Sequence, residues 1–227
     1  MNPGIIVFAR LNSTRLPGKA LKIIAGKKLI DRVIDRIRQV EGNPLIVVAT
    51  TTSHLDNPLV NHLENKGVAV FRGSSHDVAW RAACCAEFYK LKYFVRISGD
   101  SPFIDPNLIN IGLSKFSKGT YDIVTNVFPR TYPVGTSVEV IRMTAIHKLL
   151  ALTQNDHDRE HITPYFYDNA ANFFIENFSS KVVGYRNISL AIDTLSDLER
   201  ITWVLKTFGE SLDLKTVIEK SLLWREH

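Results

Sequence analysis

Two periods of apolar and polar positions alternate along the 227-residue chain. Runs that are apolar throughout, or that alternate with period two, fall at 4–8, 45–50, 68–71, 93–98, 121–125, 137–141, 173–178 and 188–192, and predict strands. Between them, apolar positions spaced three and four apart predict helices near 29–41, 57–66, 76–91, 106–117, 143–153, 160–169, 194–208 and 213–224. The first three strands are almost wholly apolar, as expected of strands buried on both faces of a mostly parallel sheet with helices on either side. The pattern therefore predicts an α/β fold in one domain spanning 1–227. No fixed-period repeat or low-complexity linker interrupts it. The longest irregular stretch, 126–136, contains Pro129, Pro133 and Gly135 and reads as a substrate loop.

Composition narrows the class of protein. The two cysteines, Cys84 and Cys85, are adjacent in an apolar helical run, so no disulfide framework and no paired metal-ligand spacing is present. No apolar run reaches the roughly 18 residues of a membrane span, and the N-terminal residues lack the pattern of a secretory leader. A cytoplasmic protein without a membrane partner is expected. The net charge is +5, but residues 1–40 hold nine Lys/Arg against two Asp/Glu, and the remainder holds 19 against 21. An excess this local suits a small polyanion such as a nucleoside triphosphate rather than a nucleic-acid groove.

Three stretches carry the chemistry. The first is FARLNSTRLPGKAL (8–21), which follows the first strand, where open parallel sheets bind their ligands. Arg10, Arg15 and Lys19 offer charge, Ser13 and Thr14 offer hydroxyls, and Gly18 lets backbone approach a ligand. A phosphate site and a basic surface loop both fit these residue types. Neither a G-x-G-x-x-G nor a Walker A spacing is present. The second stretch, FVRISGDSP (94–102), is an apolar strand that ends at Asp100. The third, ISLAIDTLSD (188–197), ends its apolar run at Asp193. Two carboxylates at strand ends beside a cationic loop suit a triphosphate with Mg²⁺. Against this, Thr194 and Asp197 have capping-box spacing, which would leave Asp193 a helix-entry residue, and Asp105-Pro106 reads as a helix cap.

Together these stretches resemble the cytidylyltransferases that activate acylneuraminate and ketodeoxyoctonate sugars, most closely the branch named after spore-coat polysaccharide biosynthesis. ARLNSTRLPGKAL is similar to that family's opening motif, FRGSSHDV (71–78) to its second, and RISGDSPFIDP (96–106) to its third. Asn126 with PRTYPVGTSVEV, REHITPY (159–165) and AIDTLSDLE (191–199) continue the similarity to about residue 200. The resemblance implies a three-layer α/β/α sandwich of the nucleotide-diphospho-sugar transferase fold, and transfer of CMP from CTP to a sugar acid of the 2-keto-3-deoxy type, with Mg²⁺ as cofactor and a homodimer as assembly. It further implies that Ala9, Arg10, Ser13, Arg15, Lys19, Arg72, Gly73, Asp77 and Ser98 bind the nucleotide, that Lys19, Asp100 and Asp193 are catalytic, and that Asp100 and Asp193 hold the metal.

The acceptor would then fall to Arg130, Tyr132, Gly135, Glu139, Arg159 and His161. Arg130 or Arg159 suits a carboxylate bidentately. Tyr132 and Tyr165 fit either a sugar ring or the core. Glu139 alternates with Val138 and Val140, which presents it either to sugar hydroxyls or on a solvated strand face. His161, at the start of a helix, reads as a proton-transfer group or as a structural residue. Departures from the family pattern gather in acceptor regions: Ser101 stands where the close branch has Cys, and Val134 and Thr136 flank Gly135. Two rival classes remain. A glycosyltransferase on the same fold would carry Asp-x-Asp, which Asp100-Ser101-Pro102 lacks, and a non-catalytic nucleotide-binding module would not need both acids.

Overall fold

A computed structural model describes residues 3–181 and 184–224. In chain order the elements are β1 (Gly4–Phe8), β2 (Ile23–Ile24), β3 (Lys27–Lys28), α1 (Leu29–Ile37), β4 (Leu45–Thr51), α2 (Asn57–Asn65), β5 (Ala69–Gly73), α3 (Val78–Phe88), β6 (Tyr93–Ser98), α4 (Pro106–Ser117), β7 (Ile123–Thr125), β8 (Glu139–Arg142), α5 (Met143–Leu152), α6 (Asp156–His161), α7 (Thr163–Asp168), β9 (Ile175–Asn177), α8 (Leu195–Phe208) and α9 (Leu214–Ser221). Seven strands form one sheet in the order β5-β4-β1-β6-β8-β7-β9. It is parallel except for β8, which runs antiparallel to both β6 and β7.

Period two in the strands produces the layers. Ile5 and Val7 of β1 face a core shared with α1, α2, α4, α8 and α9. Ile6, between them, faces a second core shared with α3, α5 and α7. The result is the expected α/β/α sandwich on a mostly parallel mixed sheet. Register pairs Phe8 with both Ala49 and Ser98, so β1 and β6 end level, β4 runs two residues further to Thr51, and the loops that follow leave from one edge. Cys85 is buried on α3, and burial pushes its thiol up to about 12, in keeping with core packing. No described helix is long and apolar enough to cross a membrane.

Several expected elements differ. The run 188–192 is no strand: its ladder partner is the single residue Val134, held by Val134 N to Ile188 O (2.9 Å) and Leu190 N to Val134 O (2.7 Å). It is a buried extended connection, apolar because Leu190, Ala191 and Ile192 fill the core. The helix expected at 160–169 is two helices broken at Ile162, whose φ of 51° cannot continue a helix, and Pro164 opens the second. His161 therefore ends α6 instead of starting a helix. The β2–β3 hairpin escaped notice because each strand is two residues long.

Gly135 explains how the 126–136 loop meets the 188–192 connection. Its φ is +91°, and a Cβ there would lie 2.5 Å from Ala191 N and 2.7 Å from Leu190 C, both backbone. Asn126, fully buried, closes the loop's neck by donating to Thr136 O (2.9 Å) and accepting from Val138 N (2.9 Å). Gly135→Ala is expected to destabilise the fold by more than the roughly 1 kcal/mol of a strained φ alone. Urea melts against Gly67→Ala, at φ +65° in open space, check this: equal losses would show that the contact with Ala191 costs nothing.

Candidate active site

The loop after β1 is shaped from beneath by buried residues. Leu16 and Ala20 are buried and pin it to the core beneath, while Gly18, at φ 71°, turns the chain into a short helical turn at Lys19–Leu21. Its start is fixed by Asp56, 1% exposed, whose Oδ1 accepts Leu11 N at 2.7 Å. Asp56 Oδ2 accepts Thr50 Oγ1 (2.9 Å), Thr51 N (3.2 Å) and Thr51 Oγ1. Burial alone would raise this carboxyl's pKa, but the donors from Leu11, Thr51 and Thr50 outweigh it and hold it below the ordinary value.

Two carboxylates meet the loop from the far side. Gly99 N donates to Phe8 O (2.9 Å), and a Cβ at Gly99 would lie 2.8 Å from Ala9 Cβ, so glycine lets the end of β6 close on β1 and set Asp100 beside the loop. Asp193 is held by Ile192 N to Asp100 O (2.9 Å) and by a complete capping box between Thr194 and Asp197 at the start of α8. Lys19 Nζ joins the two acids: it donates to Asp100 Oδ2 at 2.8 Å, Asp193 Oδ1 at 2.8 Å and Ile192 O at 3.0 Å. Burial would lower the Lys19 pKa, yet Asp100 and Asp193 prevail and raise it above the ordinary value. Arg15 adds a contact to Asp193 Oδ2 at 3.1 Å, and Ser101 Oγ donates to Asp100 Oδ1 at 3.2 Å.

This triad sits in a cavity of about 430 Å³. Ala9, Arg10, Ser13, Arg15, Lys19, Ser98, Asp100, His161 and Asp193 all line it. So do Phe8, Arg81, Arg96 and Glu160, which sequence reasoning missed. Arg10 donates to Glu160 Oε1 (3.1 Å) and Ser75 O (3.3 Å). Arg81 and Arg96 had a signal: each is the lone cation in an apolar run, VAWRAACCA and YFVRIS. Burial, then the neighbouring charge of Arg10, lower the Arg81 pKa to about 10.

The other expected site residues stand outside the lining. Arg72 donates to Thr51 O (3.0 Å) and Ser53 O (2.8 Å), and Gly73 lies under Arg81, whose Cγ would be 2.8 Å from a Cβ there. Asp77 caps α3 through Trp80 N (2.7 Å) and pairs with Arg159 Nη1 at 2.6 Å. Arg159 Nη2 and Nε donate to Leu150 O (3.0 Å) and Thr153 O (3.1 Å). Arg130 donates to Ser137 Oγ (3.1 Å) and Pro133 O (3.4 Å), and Tyr132 packs its edge on Phe178 with ring centres 6.2 Å apart. Gly135 is consumed by its contact with Ala191. Glu139 is not on a solvated face. It is 2% exposed, because β8 is an interior strand, and it accepts from Arg96 Nη1 (2.7 Å) and Tyr167 Oη (2.7 Å).

A parallel-edge cavity with three carboxylates, an ammonium and four guanidinium groups defines a nucleotidyltransferase of the nucleotide-diphospho-sugar transferase fold. The cytidylyltransferase family model matches residues 4–220, and the chain belongs to that family. It is 31% identical to the spore coat polysaccharide biosynthesis protein SpsF of Bacillus subtilis over 92% of this chain and 88% of that protein. It is 30% identical to a 3-deoxy-manno-octulosonate cytidylyltransferase of Rhodospirillum centenum over 55% of this chain and 49% of that enzyme. A cytidylyltransferase from Leptospira borgpetersenii superposes with a TM-score of 0.91 at 28% identity, covering 96% of this chain and 93% of that one.

Asp56 supplies a test of the loop's foundation. Its folded pKa lies below the unfolded value of about 3.9, so its stabilisation is complete above that pH and is lost as pH falls through the folded value. Asp56→Asn should cost about 1–3 kcal/mol at pH 7. The gap to wild type should narrow below about pH 4. Urea melts across pH 3–7 check it; a gap independent of pH would refute the charge-based role.

Proposed function

We propose that this cytidylyltransferase transfers CMP from CTP to a hydroxyl of a sugar acid and releases pyrophosphate. The observation that carries the reading is the Lys19–Asp100–Asp193 triad, set at the end of a loop rich in phosphate-binding groups. A sugar-acid acceptor is supported by the name of the Rhodospirillum relative and by the cation excess of the cavity. The hydroxyl oxygen attacks the α-phosphorus in line, the bond to the β-phosphate oxygen breaks, and the hydroxyl proton leaves to solvent. Arg10, Ser13, Arg15 and Lys19 hold the triphosphate and take up the charge that develops on pyrophosphate.

Asp100 and Asp193 suit a hard divalent cation such as Mg²⁺, since both are carboxylates and Lys19 already bridges them within 2.8 Å of each. No cluster of three or more acid, His or Cys ligands occurs among the described residues, so phosphate oxygens would complete the ion's shell. Bound there, the ion would neutralise charge on the phosphates. Without nucleotide, Lys19 supplies the positive charge that the two acids require.

Incubation with CTP, Mg²⁺ and a panel of 2-keto-3-deoxy sugar acids should release pyrophosphate only when CTP and one acid are both present. Release from CTP alone, or from no combination, would overturn the reading. Asp100→Asn and Asp193→Asn should each lower turnover at least a hundredfold, about 2.7 kcal/mol of transition-state stabilisation, with melting temperature within a few degrees of wild type. Lys19→Ala and Arg15→Ala should weaken CTP more than CMP in calorimetric titrations, because CMP lacks the β and γ phosphates. Equal losses would remove both residues from the triphosphate.

A further inference from the structure

The cations of the cavity divide into two groups. Lys19 and Arg15 are matched to Asp100 and Asp193, and Arg10 to Glu160. Arg81 is different, and Arg96, though paired with Glu139 at 2.7 Å, keeps part of its guanidinium unengaged. Arg81 is 3% exposed, yet it makes no ion pair among the described residues; its one hydrogen bond runs from Nη1 to Ser74 O at 2.7 Å. The acid nearest to it in the chain, Asp77, is taken by Arg159. Arg96 gives Nη1 to Glu139. In both side chains Nε is buried without a partner, and among the described residues neither Nη2 makes a hydrogen bond.

Both guanidinium groups line the same cavity and both approach the ring of Phe8, 5.8 Å away for Arg81 and 5.9 Å for Arg96. They are rooted in α3 and β6, and not in the loop that carries Ser13, Arg15 and Lys19. Arg81, buried with no ion-pair partner among the described residues, is costly, and an oxyanion beside both groups would meet Nη2 donors that make no hydrogen bond among the described residues. The Arg81 pKa is lowered by that burial first and by the charge of Arg10 second, which Asp56 and Asp77 offset only in part.

We propose that Arg81 and Arg96 form the seat of the acceptor's carboxylate, with the Phe8 ring beside it. This rests on the CMP-transfer reading above and replaces Arg130 and Arg159, which stand outside the cavity lining and bond to neighbouring backbone and side chains. The planar guanidinium fork matches a carboxylate in a way an ammonium does not. The triphosphate draws on the loop after β1, and the carboxylate draws on side chains carried by α3 and β6. Arg81 and Arg96 thereby select acids over neutral sugars.

The experiment reads the two guanidinium groups directly. Because both Nε–H groups are shielded from water, ¹⁵N-labelled enzyme should show their signals, assigned by their loss in Arg81→Lys and Arg96→Lys. The enzyme is first saturated with Mg²⁺ and α,β-methylene-CTP, which cannot react, and then titrated with 3-deoxy-manno-octulosonate and, separately, with pyruvate as the bare 2-keto acid. Either acid should shift both signals, while methyl pyruvate should not. In turnover assays each Arg→Lys variant should raise KM for the acid roughly ten- to a hundredfold and leave KM for CTP unchanged. If the nucleotide analogue moves both signals and the acids add nothing, the pair is a phosphate site and the proposal falls. If neither nucleotide nor acid moves them, the arginines are structural and it falls equally. Failure of the analogue to bind anywhere would instead strike the CMP-transfer reading.

Discussion

The ion triad of Lys19, Asp100 and Asp193 is the constraint on which the site depends. It joins three segments separated by 81 and 174 residues, and each arrives by a different device. Gly18 turns the loop toward the sheet edge, Gly99 lets β6 close on β1, and the capping box fixes the entry to α8. Two carboxylates this close would repel if left alone, and an ammonium at 2.8 Å from each makes the arrangement tolerable before any ligand arrives. Sheet order makes this geometry available: β1 lies between β4 and β6, so its loop has Asp56 on one side and Asp100 on the other.

Arginine does two jobs in this molecule, and its place in the fold decides which. Arg72 and Arg159 bind backbone carbonyls and hold the walls of the site together, with Arg159 bridging α6 to the cap of α3 through Asp77. Arg10, Arg15, Arg81 and Arg96 turn toward the cavity. Glu139 belongs to the wall: buried between Arg96 and Tyr167, it fixes one side of Arg96 while Nη2 stays without a hydrogen bond among the described residues. The small residues Ala79, Ala82, Ala83 and Ala86 on α3 let that helix pack closely on the sheet, which brings Arg81 to the edge where β1 and β6 end.

Much of this was legible in the sequence, because strands buried on both faces and loops at their carboxyl ends leave local marks. β1, β4 and β6 stood out as apolar runs, and the loop after β1 announced itself by charge and glycine. What stayed hidden depends on contacts distant in sequence. Nothing near Arg159 shows that Asp77, 82 residues away, will occupy it. The apolar run at 188–192 looked like a strand because burial, not pairing, sets hydrophobicity, and a buried connection has the same composition. Arg81 and Arg96 were visible as single charges in apolar runs, a pattern that marks a buried cation and hence either an internal partner or a ligand.

If the two carboxylates are balanced by Lys19 in the free enzyme and lack a third protein ligand, a divalent cation should enter only together with the triphosphate. Titration of Mn²⁺ into the enzyme, followed calorimetrically with and without CTP, tests this most directly. The account predicts negligible metal binding to the free enzyme and clear binding once CTP is present. Equal affinity in the two conditions would contradict it, because the site would then be a complete metal centre in which Lys19 has no balancing part.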